Sequence, residues 1–316
     1  QSADFEKNPI GTGPYKITSY VPSGQVVIEK NPDYWGTPGE ADKITFRIMP
    51  EASTRLAALE TGEVQVAENL PPDKLAYLRE NKDISVVYTP TLRVDYMVLN
   101  HFNPLMGNIK FREALSLAID RQGIVDNLLA GTTKVANSIS PPGTIGYDAS
   151  LPDYAYDPER AKELLKEAGY NGELIKVGGP IGRYSMDKQV TEAIGGMLAA
   201  VGINVSVETL AFSSYIPKYY EPAYDLGFIG QTDFTISPNK HWSSLFYSPL
   251  DRNGYSNAEM DAIISAANVE LDDTKAAELF RQGQALQHKE FGGALPLYYE
   301  PQLIGVSAKY EGFVPR

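Results

Sequence analysis

The side chains able to do chemistry are few and scattered. The three histidines, His101, His241 and His288, show no pairing at ligand spacing, so they read as isolated surface or structural residues. Cysteine is absent, which removes thiolate catalysis, disulfides and Cys-ligated zinc together. No G-x-S-x-G elbow, G-x-x-x-x-G-K-[ST] loop or H-E-x-x-H helix occurs, so no hydrolase nucleophile, phosphate loop or zinc helix is signalled. The run Gly178-Gly179-Pro180-Ile181-Gly182 has the glycines of a nucleotide loop. Its proline and the lack of G-x-G-x-x-G make it a strand-to-helix turn instead. The expectation is a protein with no catalytic residue, no metal ligand and no cofactor.

Binding chemistry is better represented. Twenty tyrosines offer rigid apolar area with a polar tip, which suits recognition of polar ligands, although any one of them can equally pack at a sheet edge. In Leu226-Gly227-Phe228-Ile229-Gly230-Gln231-Thr232-Asp233 an apolar strand runs into a polar turn. A carboxylate there, beside backbone groups freed by the turn, is placed to hold a ligand ammonium. The other reading of Asp233 is a helix N-cap or turn residue.

These residues need a scaffold, and the composition bounds it. With 316 residues, 43% hydrophobic and 22% charged, the chain is long enough for two lobes. No stretch approaches the roughly 20 apolar residues of a membrane helix. No basic, apolar signal sequence is present either, so an exported protein is expected to be seen here in processed or truncated form. The 28 basic and 40 acidic residues give a net charge of -12, which argues against a nucleic-acid surface, where Lys and Arg neutralise phosphates.

Strand and helix signals alternate along the chain. Ile44, Phe46 and Ile48 repeat with the period of a strand with one buried face. A helix is predicted over 53–61, with Ser53 as N-cap and Gly62 beyond its end, then a short strand over 63–67. One long helix is predicted over 108–129, with Phe111, Leu115, Ala118 and Ile119 on one face and Gly131 as its stop. Asp157-Pro158-Glu159 opens the next, with Pro at the first helical position, and Gly169 ends it. A βαβ unit is read over 174–210: a strand at 174–177, the glycine-rich turn, a helix carrying Val190, Ile194 and Leu198, and a strand with Ile203, Val205 and Val207. An irregular aromatic stretch covers 215–255, helices follow near 258–268 and 274–290, and strands at 295–299 and 303–306 finish the chain. The class is α/β with mixed sheets.

Several motifs carry a family resemblance. Gly11-Thr12-Gly13-Pro14-Tyr15 and Asn31-Pro32-Asp33-Tyr34-Trp35 resemble the second part of the family 5 extracellular solute-binding proteins, the peptide, oligopeptide and nickel binders of ABC importers. Leu56 to Val64, Phe111-Arg112-Glu113-Ala114-Leu115, Ala118-Ile119-Asp120-Arg121, Tyr156-Asp157-Pro158-Glu159-Arg160-Ala161, Gly182-Arg183-Tyr184 with Asp187-Lys188, and Tyr255-Ser256-Asn257 with Asp261 follow in the family's order. In that family the "GTGPY" element lies well inside the mature protein. The resemblance therefore implies a C-terminal portion lacking N-terminal segments, with an incomplete ligand cleft.

The resemblance implies a periplasmic-binding-protein-like fold of type II, with two lobes of mixed sheets joined by a two-segment hinge. Lobe I takes residues 1–91 and 297–316, and lobe III takes 92–296. The crossings lie near Pro90 and Pro296, where proline limits the swing of the backbone. It implies a substrate-binding component that holds peptides or related amine-bearing small molecules in an interlobe cleft. Delivery is to the transmembrane subunits of an ABC permease, at the periplasmic or extracellular face of the membrane. Membrane association is then through the permease or a lipid anchor outside this chain. Asp233 falls where peptide binders pair the α-ammonium, Tyr96 and Asn100 on the strand lining the cleft, and Glu68 and Asn69 among polar residues facing the ligand from lobe I. The family's "GW" pair reads Gly230-Gln231 here, replacing an aromatic wall with an amide at Gln231. Arg93 and Arg183 are candidates for a ligand carboxylate by bidentate bonding, or solvated surface residues. Oligosaccharide or nickel-chelate binding, or an enzyme or regulator on the same fold, are the alternatives.

Overall fold

The computed structural model describes residues 9–232, 237, 239–310 and 313. They divide into two units, Gln1–Pro50 and Glu51–Arg316. In the first unit β1 (Tyr15–Val21), β2 (Gln25–Lys30) and β3 (Lys43–Arg47) form an antiparallel sheet in that order. The two opening motifs meet at Asn31, which is buried: its backbone N–H donates to the Pro14 carbonyl at 2.8 Å and its side-chain amide to the Gly13 carbonyl at 3.0 Å. Ile44 and Phe46 lie in a strand as their spacing predicts, yet the expected buried face is open. Phe46 is 54% exposed and Ile48 47%, because a three-stranded sheet has no second layer of its own to cover it.

The second unit is built on a six-stranded sheet of β4 (Val66–Ala67), β5 (Ile84–Leu99), β6 (Ile175–Ile181), β7 (Val205–Ala211), β8 (Leu226–Thr232) and β9 (Ala294–Ser307). The order is β4-β9-β5-β8-β6-β7. β5 runs antiparallel to both β9 and β8, while β6 pairs parallel with β7 and β8. This is the mixed sheet that the α/β pattern predicts. Ten helices of the described residues belong to this unit: α1 (Ala52–Glu60), α2 (Leu75–Glu80), α3 (Ile109–Ala118), α4 (Arg121–Asn127), α5 (Pro158–Glu167), α6 (Asp187–Ala200), α7 (Phe212–Tyr220), α8 (Asn239–Phe246), α9 (Ala258–Ala267) and α10 (Asp273–Glu290).

The stretch of β5 from Val94 to Leu99 is buried on both faces. Val94, Tyr96 and Val98 join one core with Trp242, Phe246 and Phe280. Met97 and Leu99 join another with Phe111, Leu164, Ile194 and Phe228. A strand sealed on both sides reads as a near-continuous apolar run rather than an alternation. Asp95 is the exception inside that run, and it is fully buried.

Several boundaries differ from the sequence reading for identifiable reasons. The helix predicted over 108–129 is two, α3 and α4, because Asp120 caps the second: its Oδ1 accepts from the Gly123 N–H at 2.8 Å. Arg121 is buried at the break and donates to the carbonyls of Ser116 and Pro296 at 2.9 and 2.7 Å. The cap of α1 is Glu51, with no side-chain bond, rather than Ser53. The described residues of 215–255 are not irregular but carry most of α7 and all of β8 and α8, and the two last strands are one, β9. Gly178 and Gly179 lie inside β6, and the turn begins only at Gly182. Those glycines answer a packing demand: a Cβ at 178 would lie 2.4 Å from the Tyr224 ring, and one at 179 only 2.0 Å from the Thr191 hydroxyl.

Gly179→Ala is therefore expected to destabilise the protein by about 1–3 kcal/mol, the usual cost of overpacking a filled site. Urea unfolding checks it, and an unchanged midpoint would show that Thr191 can move aside freely.

Candidate ligand-binding site

The turn after β6 is organised by one carboxylate. Asp187, buried at the start of α6, accepts backbone N–H bonds from Gly182 at 3.0 Å, Arg183 at 2.7 Å, Tyr184 at 3.0 Å and Lys188 at 2.8 Å. Gly182 at φ 78° and Met186 at φ 55° provide the reversals that let the backbone curl around it. Burial raises the Asp187 pKa against the pull of these four donors.

The turn delivers Arg183 and Tyr184. The Tyr184 hydroxyl donates to the Gly230 carbonyl of β8 at 2.9 Å, and its ring meets Phe228 edge-on at 5.6 Å. Burial pushes this phenol up to about 12. The Arg183 guanidinium lies 5.7 Å from the Tyr184 ring centre and 5.2 Å from that of Phe212. Such stacking holds a guanidinium in place without neutralising it.

A cavity of about 460 Å³ opens beside this turn. Its walls include Arg183, Tyr184, Phe212, Tyr219, Tyr220 and Gln231, with Asn100 at the end of β5 and Lys240 and Arg252 across from α7. Apolar area with a few convergent polar groups is the usual make-up of a small-molecule site. Gln231 is fixed from behind: the buried Tyr96 hydroxyl donates to its Oε1 at 2.9 Å. Its Nε2 makes no hydrogen bond among the described residues and is free to donate.

Behind the cavity wall lies a largely buried charge cluster. Arg93 of β5 pairs with Glu300 of β9, and its Nε donates to Thr232 Oγ1 of β8 at 2.8 Å. The other oxygen of Glu300 accepts the Ser185 N–H of the turn at 3.1 Å. Asp95, beside them, has neither carboxyl oxygen hydrogen-bonded with good geometry; the Tyr298 hydroxyl next to it is likewise unsatisfied. Burial first, then the Glu300 charge, drives the Asp95 pKa well up, with Arg93 opposing. Burial also raises Glu300, whose ion pair with Arg93 pulls it back. The stronger upward push falls on Asp95, while the ion pair with Arg93 favours the charged form of Glu300. Gly230 separates Asp95 from the cavity, and a Cβ there would sit 1.9 Å from Asp95 Oδ1.

Of the residues singled out in the sequence, Asn100, Arg183 and Gln231 line the cavity. Tyr96 supports Gln231, and Arg93 serves the cluster while lying 5.7 Å from the Tyr184 ring. Asn100 also caps its own turn, accepting the Phe102 N–H at 3.1 Å. Asn69 approaches from the side, its amide donating to the Arg183 carbonyl at 3.4 Å. Glu68 is exposed, is not part of the cavity wall, and offers its backbone carbonyl to Arg55 at 2.9 Å. Asp233 lies outside the described residues. Sequence reasoning missed Asp95, Glu300, Lys240 and Arg252; Asp95 could have been noticed as the one charge inside an apolar run. His101 is structural: it accepts the Gly293 N–H at 3.2 Å, and burial lowers its pKa to about 4. Among the described residues no three His, Asp or Glu side chains form a group that could hold a metal ion.

Comparison with known proteins gives this geometry a context. The family model described as "Bacterial extracellular solute-binding proteins, family 5 Middle" matches residues 1–252. A dipeptide-binding protein of Escherichia coli K12 is 28% identical over 98% of the chain, and the glutathione-binding protein GsiB of Salmonella choleraesuis is 30% identical over the same share. The periplasmic binding protein DppA of Helicobacter pylori, solved in complex with the peptide STSA, superposes with a TM-score of 0.91 at 25% identity over 97% of the chain. The chain spans 59%, 62% and 61% of these three relatives' own lengths.

The Asp95 carboxyl yields a pH prediction. A carboxyl whose folded pKa exceeds its unfolded value binds its proton more tightly in the fold. Its effect on stability is therefore most favourable at low pH and is lost as pH climbs from the ordinary carboxylate range through the raised value. Asp95→Asn has no proton to lose, so its unfolding free energy is expected to decline less than the native protein's as pH rises above the ordinary carboxylate range. Parallel profiles, measured by urea titration at each pH, would show that Asp95 titrates normally.

Proposed function

Because the chain belongs to the family 5 bacterial extracellular solute-binding proteins, we propose that it is the greater part of an ABC-importer receptor. In this reading it binds peptides or related amine-bearing small molecules and hands them, unaltered, to the transmembrane subunits of a permease outside the cytoplasm. The carrying observation is the cavity at the β6 turn, where Arg183 and the Gln231 amide converge on aromatic walls. It has donors for a ligand's carboxylate and carbonyl groups. Among the described residues no helix is long and apolar enough to cross a membrane. Membrane contact in this reading is through the permease or a lipid anchor.

Asp233, next in the chain after the last residue of β8, is proposed as the partner of the ligand ammonium, with Asn100 and Tyr96 shaping the same wall and Glu68 and Asn69 contributing from the 1–91 lobe. Arg183 takes the carboxylate, whereas Arg93 holds the wall from behind. The two-lobe division into 1–91 with 297–316, and 92–296, belongs to this proposal. Its support is local: the β5–β9 register breaks between Pro90 and Val94 and again between Asp95 and Tyr96, close to the two crossings. Register breaks of this kind are where a sheet bends most readily.

Thermal-shift measurements on the full-length protein test the reading, with dipeptides, an oligosaccharide and a nickel–histidine chelate as probes. A peptide at 100 times its Kd is expected to stabilise by about 2.7 kcal/mol and to be recovered with unaltered mass. Stabilisation by the sugar or the chelate but by no peptide would overturn it. Asp233→Asn is expected to weaken peptide binding by about 2–5 kcal/mol, the cost of leaving a buried charge unpaired.

A further inference from the structure

The described lining of the cavity carries an unbalanced charge, before the proposed Asp233 is matched with the ligand ammonium. Arg183, Lys240 and Arg252 all line it, and no Asp or Glu is among the described residues that do so. None of the three is ion-paired among the described residues, in a chain with 40 acidic and only 28 basic side chains. The acidic group behind the Tyr224 edge of the wall is already engaged. Glu208 accepts Lys218 at 2.8 Å and the Tyr224 hydroxyl as well. The aromatic lining also matters, because it displaces water and lets a charge be felt at greater strength than on an open surface. Burial raises the phenol of Tyr219, with the nearby Arg252 charge opposing it.

One ligand carboxylate needs one cation, and the stacked Arg183 supplies it. Lys240 and Arg252 are then in excess of what a neutral-side-chain peptide requires. We propose that this site selects peptides bearing an anionic side group, seated against Lys240 and Arg252 while Arg183 takes the main-chain carboxylate. The proposal rests on the receptor reading above and adds the substrate class to it. It assigns to two residues outside every motif of the sequence a role in specificity. Each exposed ion pair contributes about a two- to fivefold gain, so the pair together gives roughly a tenfold preference.

Calorimetry on the full-length protein with Ala-Glu and Ala-Gln, matched in shape and differing by one charge, tests it. At low ionic strength Ala-Glu is expected to bind roughly tenfold tighter, and the ratio should shrink as salt screens the charges. In Lys240→Gln/Arg252→Gln the ratio is expected to fall to within about twofold, while Lys240→Arg keeps it. Both residues are exposed, and circular dichroism confirms that the variants fold. Equal binding of the two peptides by the native protein, or a preference that survives in the double variant, overturns the proposal. Failure of both peptides to bind overturns the receptor reading for peptides and this proposal with it.

Discussion

The centre of the sheet is tied together by one guanidinium. Arg93 stands on β5, its ion-pair partner Glu300 on β9 and its hydroxyl acceptor Thr232 on β8, so a single side chain links three adjacent strands. Glu300 is 2% exposed. Removing Arg93 leaves the Glu300 charge buried without its partner, which costs about 3–5 kcal/mol. The pairing also explains the irregular register. Between Pro90 and Val94 β5 carries extra residues opposite β9. That bulge brings Arg93 to Glu300 and lets the Thr91 hydroxyl donate to the Glu300 carbonyl at 2.9 Å.

The same carboxylate reaches the candidate site. Through its bond from Ser185, Glu300 fixes the turn from below while Asp187 fixes it from within. Two buried acids thus set one short segment, and the side chains it presents, Arg183 and Tyr184, inherit that rigidity. Rigid presentation lowers the ordering cost of binding. Gly230 completes the arrangement, because only a residue without a side chain lets the Tyr184 ring, the Arg93 stem and the Asp95 carboxyl approach the same point of β8.

What was legible in the sequence follows from range. Helix ends written in local chemistry were readable: Asp157 caps α5 by accepting the Arg160 N–H at 2.9 Å, and Gly169 follows that helix at φ 75°. The parallel β6–α6–β7 unit was visible in its periodicity, as were α9 and α10. Errors fell where a distant partner decides the backbone. Gly178 and Gly179 look like a turn until Tyr224 and Thr191 fill the space above them. The break at Asp120 is clear only once Arg121 has the Pro296 carbonyl, 175 residues away. The site behaves likewise. Arg183 and Gln231 could be named from motif and strand end, whereas Glu300 comes together with them only through the sheet order and Lys240 only through the placing of α8 at the cavity.

The protonation of Asp95 bears on the sign of the cavity. Were both buried carboxyls ionised, the cluster behind Gly230 would carry a net negative charge against the wall that Arg183, Lys240 and Arg252 face. The raised pKa of Asp95 favours its neutral form, in which Arg93 and Glu300 balance each other within the cluster. Desolvation makes that choice: an isolated second charge in the sealed core costs more than giving up its ionisation. The chain's overall charge of -12 acts at long range, where salt screens it within about 8–10 Å. Inside the cavity the nearest groups govern, and the charged ones among its described lining are positive. An acidic chain can therefore present a site that attracts anions, provided its buried acids are held neutral or paired.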